Sequence, residues 1–170
     1  MSWVRIWIHL VFSTLNREPY LNSPKLRKQF FEHIKQNAEQ KQVWLDSISG
    51  YQEHVHCLIL LGKEQTVSKV AQLIKGESSF WVNKTGLIRQ KFTWQDDYWA
   101  VGVSESHAQF VRNYICEQDK HHGTVSFTDE VETFMAKYGW QLIGGNAAKA
   151  GSPGENLNPL AKANGNGIQK

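Results

Sequence analysis

Two histidines one residue apart, His54 and His56, open the run QEHVHCLILL. On an extended strand alternate side chains share a face about 7 Å apart, so both imidazoles can converge on one ion. Val55, Cys57 and Ile59 then point the other way and anchor the strand. An isolated His-x-His pair more often packs in a core or lies on a surface than binds metal, and two imidazoles are too few for a site. A further ligand has to come from elsewhere in the chain.

The segment NYICEQ offers one. Tyr114 and Gln118 stand four residues apart, one turn apart on a helical face, beside an apolar stripe of Ala108, Val111 and Ile115. Taken alone, they read as a core tyrosine and a solvated glutamine. Taken with the histidines, they describe a reaction. Two neutral imidazoles and an amide oxygen hold a divalent cation without cancelling its charge, leaving it able to polarise a phosphodiester. A phenolic oxygen beside that phosphate is a nucleophile able to form a covalent ester. The phosphotyrosine product resembles in energy the bond it replaces, so strands can be cut and rejoined without ATP.

The elements that must position these groups follow from periodicity. Val4, Ile6, Ile8, Leu10 and Phe12 alternate with Trp3, Arg5, Trp7, His9 and Val11, which predicts a strand with the first set on its buried face. Asn16-Arg17-Glu18-Pro19 reads as a turn. Ser23-Pro24 is an N-cap followed by proline at the first helical position. Leu26, Phe30, Ile34 and Ala38 carry that helix to about residue 42, with Lys25, Arg27, Lys28, Lys35 and Lys41 on its outer face. Strands are expected over 43–49 and 53–61. Thr66 opens a second helix that buries Val67, Val70, Ala71 and Ile74, and Gly76 weakens it by about 1 kcal/mol relative to alanine. Another strand is expected within 94–103. Ser104 caps a third helix running to His122 and stopped by Gly123, and a fourth is expected over 127–138 with Val131, Phe134 and Met135 facing inward. This order is that of an α+β, ferredoxin-like split βαβ antiparallel sheet with helices packed on it.

Bulk properties narrow the field without giving a function. At 170 residues the chain is long enough for one real core. Its apolar runs are too short to span a bilayer, so no membrane partner is expected. Met1-Ser2-Trp3-Val4-Arg5 lacks the features of a secretory signal, and two cysteines cannot form a disulfide framework, so a reduced, cytoplasmic setting is expected. A net charge of +3 permits nucleic-acid binding without demanding it. The glycine-, asparagine- and alanine-rich residues 144–170 are expected to form a flexible tail, leaving 1–143 as the domain.

Five segments in order carry a resemblance to the single-tyrosine HUH transposases, the enzymes of the smallest bacterial insertion sequences and their repeat-associated relatives. HLVFSTLNREPYL resembles the family's first strand and turn, EHVHCLILL its metal strand, and LIKGESSFWVNK its Lys-Gly-x-Ser-Ser helix. WQDDYWAVGVS is similar to its Trp-Gln-x-Gly-Tyr segment, and YICEQDKHHGTVSFTDEVETF to its Tyr-Ile-x-x-Gln-x-x-His-His segment. The likeness runs from about residue 3 to 143. It implies an HUH endonuclease-type fold and a homodimer that binds single-stranded DNA folded into an imperfect hairpin. With Mg²⁺ or Mn²⁺ such an enzyme cleaves one strand and is joined to its 5′ phosphate through tyrosine. Carried over by position, Tyr114 is the nucleophile and His54, His56 and Gln118 are the metal ligands, and the tyrosine helix of one subunit can complete the histidine site of the other. Leu15, Asp97, Gly102 and Glu117 stand where the family more often has lysine, glycine, serine and asparagine, departures that bear on DNA contacts more than on the reaction.

Other residues have a functional and a plain reading. Arg17, Lys75, Ser79 and Lys84 can touch DNA phosphate or be ordinary polar surface positions. His121 can approach the metal or the tyrosine, or with His122 it can simply end a helix. Trp81, Trp94 and Trp99 can stack on bases but fit a core as well. Glu53 is expected on the face opposite His54, and Cys57 and Cys116 as small buried apolar residues. Two rival functions stay open: a non-catalytic ferredoxin-like DNA-binding regulator derived from such an enzyme, and a phosphoesterase that uses water in place of tyrosine.

Overall fold

Why the first strand occupies the centre of the sheet is visible in its two faces. The structure is a computed structural model, and the described residues are 3–118, 129, 133, 140–143 and 147–150. Strand β1, Ile6–Ser13, is buried along its whole length after Ile6. Ile8, Leu10 and Phe12 enter the main core, while Trp7 joins a second cluster on the opposite face. The expectation of a single buried face is therefore corrected: the alternate set of Trp7, His9 and Val11 is buried too, because a helix covers that side. Val4 and Ile6, read as core, are exposed at the strand's start.

The main core is closed by two helices. Helix α1, Pro24–Gln40, begins where expected: Ser23 Oγ accepts from the Leu26 amide at 3.2 Å and proline sits in the first turn. It buries Phe30, Ile34 and Ala38. Arg27, assigned above to its outer face, is buried instead; its Nη1 donates to the Leu21 carbonyl at 2.9 Å and its guanidinium lies 5.1 Å from the Tyr51 ring centroid. Strands β2, Trp44–Gly50, and β3, His54–Leu61, are joined by a short connection. Helix α2, Val67–Thr85, starts at the Thr66 cap and ends at Gly86, whose φ of 65° is the left-handed conformation glycine adopts without strain.

Strand β4, Trp99–Val103, is shorter than the expected 94–103, and Trp94 instead forms an isolated bridge with Thr14. The sheet order is β2-β3-β1-β4 with every pair antiparallel, which is the ferredoxin-like arrangement. Helix α3, Glu105–Cys116, lies on the face opposite α1 and α2, where Ala108 and Ile115 pack on Trp7 and Leu58. Ser104 precedes it without a side-chain bond to the helix backbone; its hydroxyl meets His107 Nδ1 at 2.9 Å instead. Among the described residues no helix is long and apolar enough to cross a membrane.

By contacts the chain divides into Met1–Thr124, described so far, and Val125–Lys170. In the second unit, β5, Trp140–Ile143, pairs antiparallel with β6, Ala147–Ala150. Strand β6 thus falls inside the stretch read as a tail, since ladder bonds need only backbone groups; the rest of that tail lies outside the described residues. Of the expected fourth helix, Asp129 and Thr133 are helical, with Thr133 Oγ1 donating to the Asp129 carbonyl at 2.7 Å; its other residues are likewise outside.

Candidate active site

The β1–β3 register sets the site. Val11 pairs with His56 and Ser13 with His54, and these residues, with Trp7 and His9, share the face covered by α3. His54 and His56 are both fully buried, with ring centroids 5.1 Å apart and planes at 83°. Val55, Cys57 and Ile59 point into the main core as expected, and burial pushes the Cys57 thiol far up.

Helix α3 brings the tyrosine to this pair. The Tyr114 ring is half-buried and stands edge-on to His56, with centroids 5.7 Å apart. Gln118 follows one turn later, fully buried, its Nε2 3.5 Å from the Tyr114 carbonyl oxygen. The regular helix ends at Cys116 and Gln118 is again helical, while residues 119–122 of the expected helix lie outside the described residues. Cys116, read as buried, is exposed.

Two residues that the sequence reading left without a role lie in the site. His9 Nε2 and His56 Nδ1 share a hydrogen bond of 3.0 Å, their rings stack at 5.2 Å, and His9 also meets the Tyr114 ring edge at 6.2 Å. Burial, reinforced by His56, lowers the His9 pKa to about 3, so this ring is neutral at ordinary pH. Glu53, expected on the opposite face, instead accepts from His54 Nδ1 at 3.2 Å. It precedes the first residue of β3, where strand alternation no longer dictates direction. The signal for His9 was its position diagonal to His56 once β1 is paired with β3.

The other sequence candidates are dispersed. Lys75 Nζ donates to the Asp96 carbonyl at 2.7 Å and lies 5.8 Å from the Tyr98 ring, tying α2 to the segment before β4; burial lowers its pKa. Ser79 Oγ donates to the Gly76 carbonyl at 3.1 Å within its own helix. Lys84 is exposed beside the exposed Phe80 ring, and Arg17 is exposed just after β1 with a φ of 58°. Trp94 is a core residue, and Trp81 stacks on His33 at 3.9 Å. His121 lies outside the described residues.

The donors fit a divalent cation in kind. Each histidine meets a neighbour through Nδ1, Glu53 or His9, so Nε2 is the nitrogen that would ligate a cation, and the Gln118 amide would supply a neutral oxygen. Among the described residues no cluster of three or more His, Cys, Asp or Glu side chains is arranged to hold a metal.

With this fold in view, the chain is an α+β protein built on a ferredoxin-like antiparallel sheet. Residues 2–118 match the family described as Transposase IS200 like, and the chain belongs to that family. Its fold is similar to that of a candidate transposase from Deinococcus radiodurans R1, at 19% identity and a TM-score of 0.56, covering 69% of this chain and 93% of that one. It is also similar to a REP-associated tyrosine transposase solved bound to a REP hairpin, at 18% identity and a TM-score of 0.51, covering 74% of this chain and 73% of that one. No curated protein sequence matches the chain.

Proposed function

We propose that this IS200-like transposase cleaves and rejoins single-stranded DNA through a covalent 5′-phosphotyrosine at Tyr114, on a strand held by an imperfect hairpin. The observation that carries the reading is the Tyr114 ring standing 5.7 Å from that of His56, with buried Gln118 one turn beyond. The likeness to a transposase bound to a hairpin supports the substrate class.

In this reading the Tyr114 oxygen loses its proton to solvent and attacks phosphorus. The bond from phosphorus to the 3′ oxygen breaks, and that oxygen takes up a proton and leaves as a 3′ hydroxyl. A 3′ hydroxyl reverses the step and rejoins a strand. His54, His56 and Gln118 would hold Mg²⁺ or Mn²⁺, which would supply Lewis-acid polarisation of the phosphate. The apolar contacts of Ala108 and Ile115 hold the tyrosine helix against the sheet, so attack begins from a fixed position. The reading includes a homodimer, and within a single chain Tyr114 stands beside His56.

A labelled hairpin oligonucleotide incubated with the protein and Mn²⁺ tests it. A covalent protein–DNA product is expected, lost in Tyr114→Phe. Binding without cleavage favours a DNA-binding regulator. Cleavage that survives Tyr114→Phe overturns the tyrosine mechanism and favours water as nucleophile. Mixing Tyr114→Phe with His56→Ala protein reports on the dimer: recovered cleavage means that one copy's tyrosine serves the other's histidines.

A further inference from the structure

We infer that His9 is a positioning residue whose ring nitrogen accepts the proton of His56 Nδ1, and so sets His56 to present Nε2 to the cation. This rests on the reading of His56 as a ligand given above. The hydrogen bond between the two rings spans 3.0 Å from His9 Nε2 to His56 Nδ1. Two neutral imidazoles share one proton along such a contact, so one donates and the other accepts. A ligating His56 needs a lone pair on Nε2, which places its own proton on Nδ1. His9 Nε2 must then accept, and the His9 proton sits on its Nδ1.

The position of His9 suits this work. It lies on the central strand β1, paired with Leu58 on one side and Val101 on the other, and is 3% exposed. Backbone ladders on both flanks fix its height on the sheet. The same ring stacks on His56 at 5.2 Å and meets the edge of Tyr114 at 6.2 Å. One side chain therefore touches both the proposed ligand and the proposed nucleophile. His54 is held in a matching way, because a carboxylate can only accept and Glu53 accepts the hydrogen bond from its Nδ1–H at 3.2 Å. The two ligands are thus fixed by different partners, an anion for His54 and a neutral ring for His56.

The protonation pattern can be read on the unaltered protein by long-range ¹H–¹⁵N correlation of the histidine rings. The expected result is a proton on Nδ1 of His56 and none on Nε2 of His9; a proton on Nε2 of His56 overturns the inference. His9→Phe keeps a flat ring for the stacking and edge contacts while deleting the acceptor. His9→Gln returns an acceptor near the lost nitrogen. Mn²⁺ titrations of the DNA-free protein, followed by electron paramagnetic resonance, should show roughly 10- to 100-fold weaker binding in His9→Phe, with most of it recovered in His9→Gln. Unchanged affinity in His9→Phe, with His56→Ala weakened, overturns the role of His9 alone. Unchanged affinity in His56→Ala overturns the ligand reading beneath it.

Discussion

Arg112 grips Asp46 with both arms of its guanidinium: Nε donates to Oδ2 at 2.7 Å and Nη2 to Oδ1 at 2.9 Å. Asp46 sits where the β2 register shifts between Leu45 and Ser47, and Arg112 stands two residues before Tyr114. The same guanidinium lies 5.8 Å from the Trp7 ring, whose Nε1 donates to Glu105 at 2.7 Å in the first turn of α3. Both ends of the tyrosine helix are therefore tied to the sheet by directed contacts. Lysine cannot reproduce the two-armed geometry. In the proposed reaction, Arg112→Lys should slow strand cleavage by about 10- to 100-fold, because a displacement of about 1 Å at the proposed nucleophile costs rate on that scale. Single-turnover cleavage beside circular dichroism checks it; an unchanged rate means the pair does not position Tyr114.

The same pair predicts an acid response. The Arg112 hydrogen bonds hold the Asp46 carboxyl below its usual value, against a smaller opposing effect of burial. A carboxyl with a depressed folded pKa stabilises the fold fully above its unfolded value of about 3.9, and that contribution is lost as pH falls through the folded value. Asp46→Asn lacks it at every pH. The gap in melting temperature between the two proteins should be constant from pH 7 to 5 and shrink steadily below about pH 4. A gap that widens on acidification has the wrong sign and rejects the assignment.

The histidine strand was legible because alternation is local: His54 and His56 share a face whatever the rest of the fold does. The ferredoxin-like order was legible from element types alone. The second buried face of β1 was not, since Trp7, His9 and Val11 interleaved with Arg5 look like a mixed solvent face until α3 is laid over them. Glu53 was lost for a related reason, because the alternation rule was extended one residue past the strand's start. Arg27 shows the same limit on a helix, where a charged residue near the buried stripe found a backbone carbonyl to satisfy it.

The Lys-Gly-x-Ser-Ser segment divides its serines between inside and outside. Ser78 is fully buried; its hydroxyl donates to the Ile74 carbonyl at 2.6 Å and accepts from the Trp94 indole at 3.0 Å. Ser78→Ala leaves that buried N–H without its acceptor, at a cost of about 1–3 kcal/mol. Ser79→Ala removes only a bond within the helix and should change stability by less than about 0.5 kcal/mol. Urea unfolding distinguishes them, and equal effects would place Trp94 away from Ser78.

Gly50 holds the turn that aims His54. A Cβ on it would lie 2.1 Å from the His54 carbonyl oxygen and 2.9 Å from the Val55 Cα, both backbone atoms that cannot swing aside. That carbonyl also accepts from the Tyr51 amide at 3.1 Å, so pushing it away disturbs the connection between β2 and β3. Gly50→Ala should destabilise by about 1–3 kcal/mol through overpacking and shift the His54 ring resonances. Gly76 is the control: a Cβ there meets nothing within 4 Å, and its place inside α2 makes glycine the costlier residue. Gly76→Ala should stabilise by about 0.5–1 kcal/mol and leave the His54 signals in place. Denaturant unfolding and histidine ring spectra of the two variants decide the point, and a Gly50→Ala protein as stable as the parent would mean that β3 can slide away from its neighbour without loss.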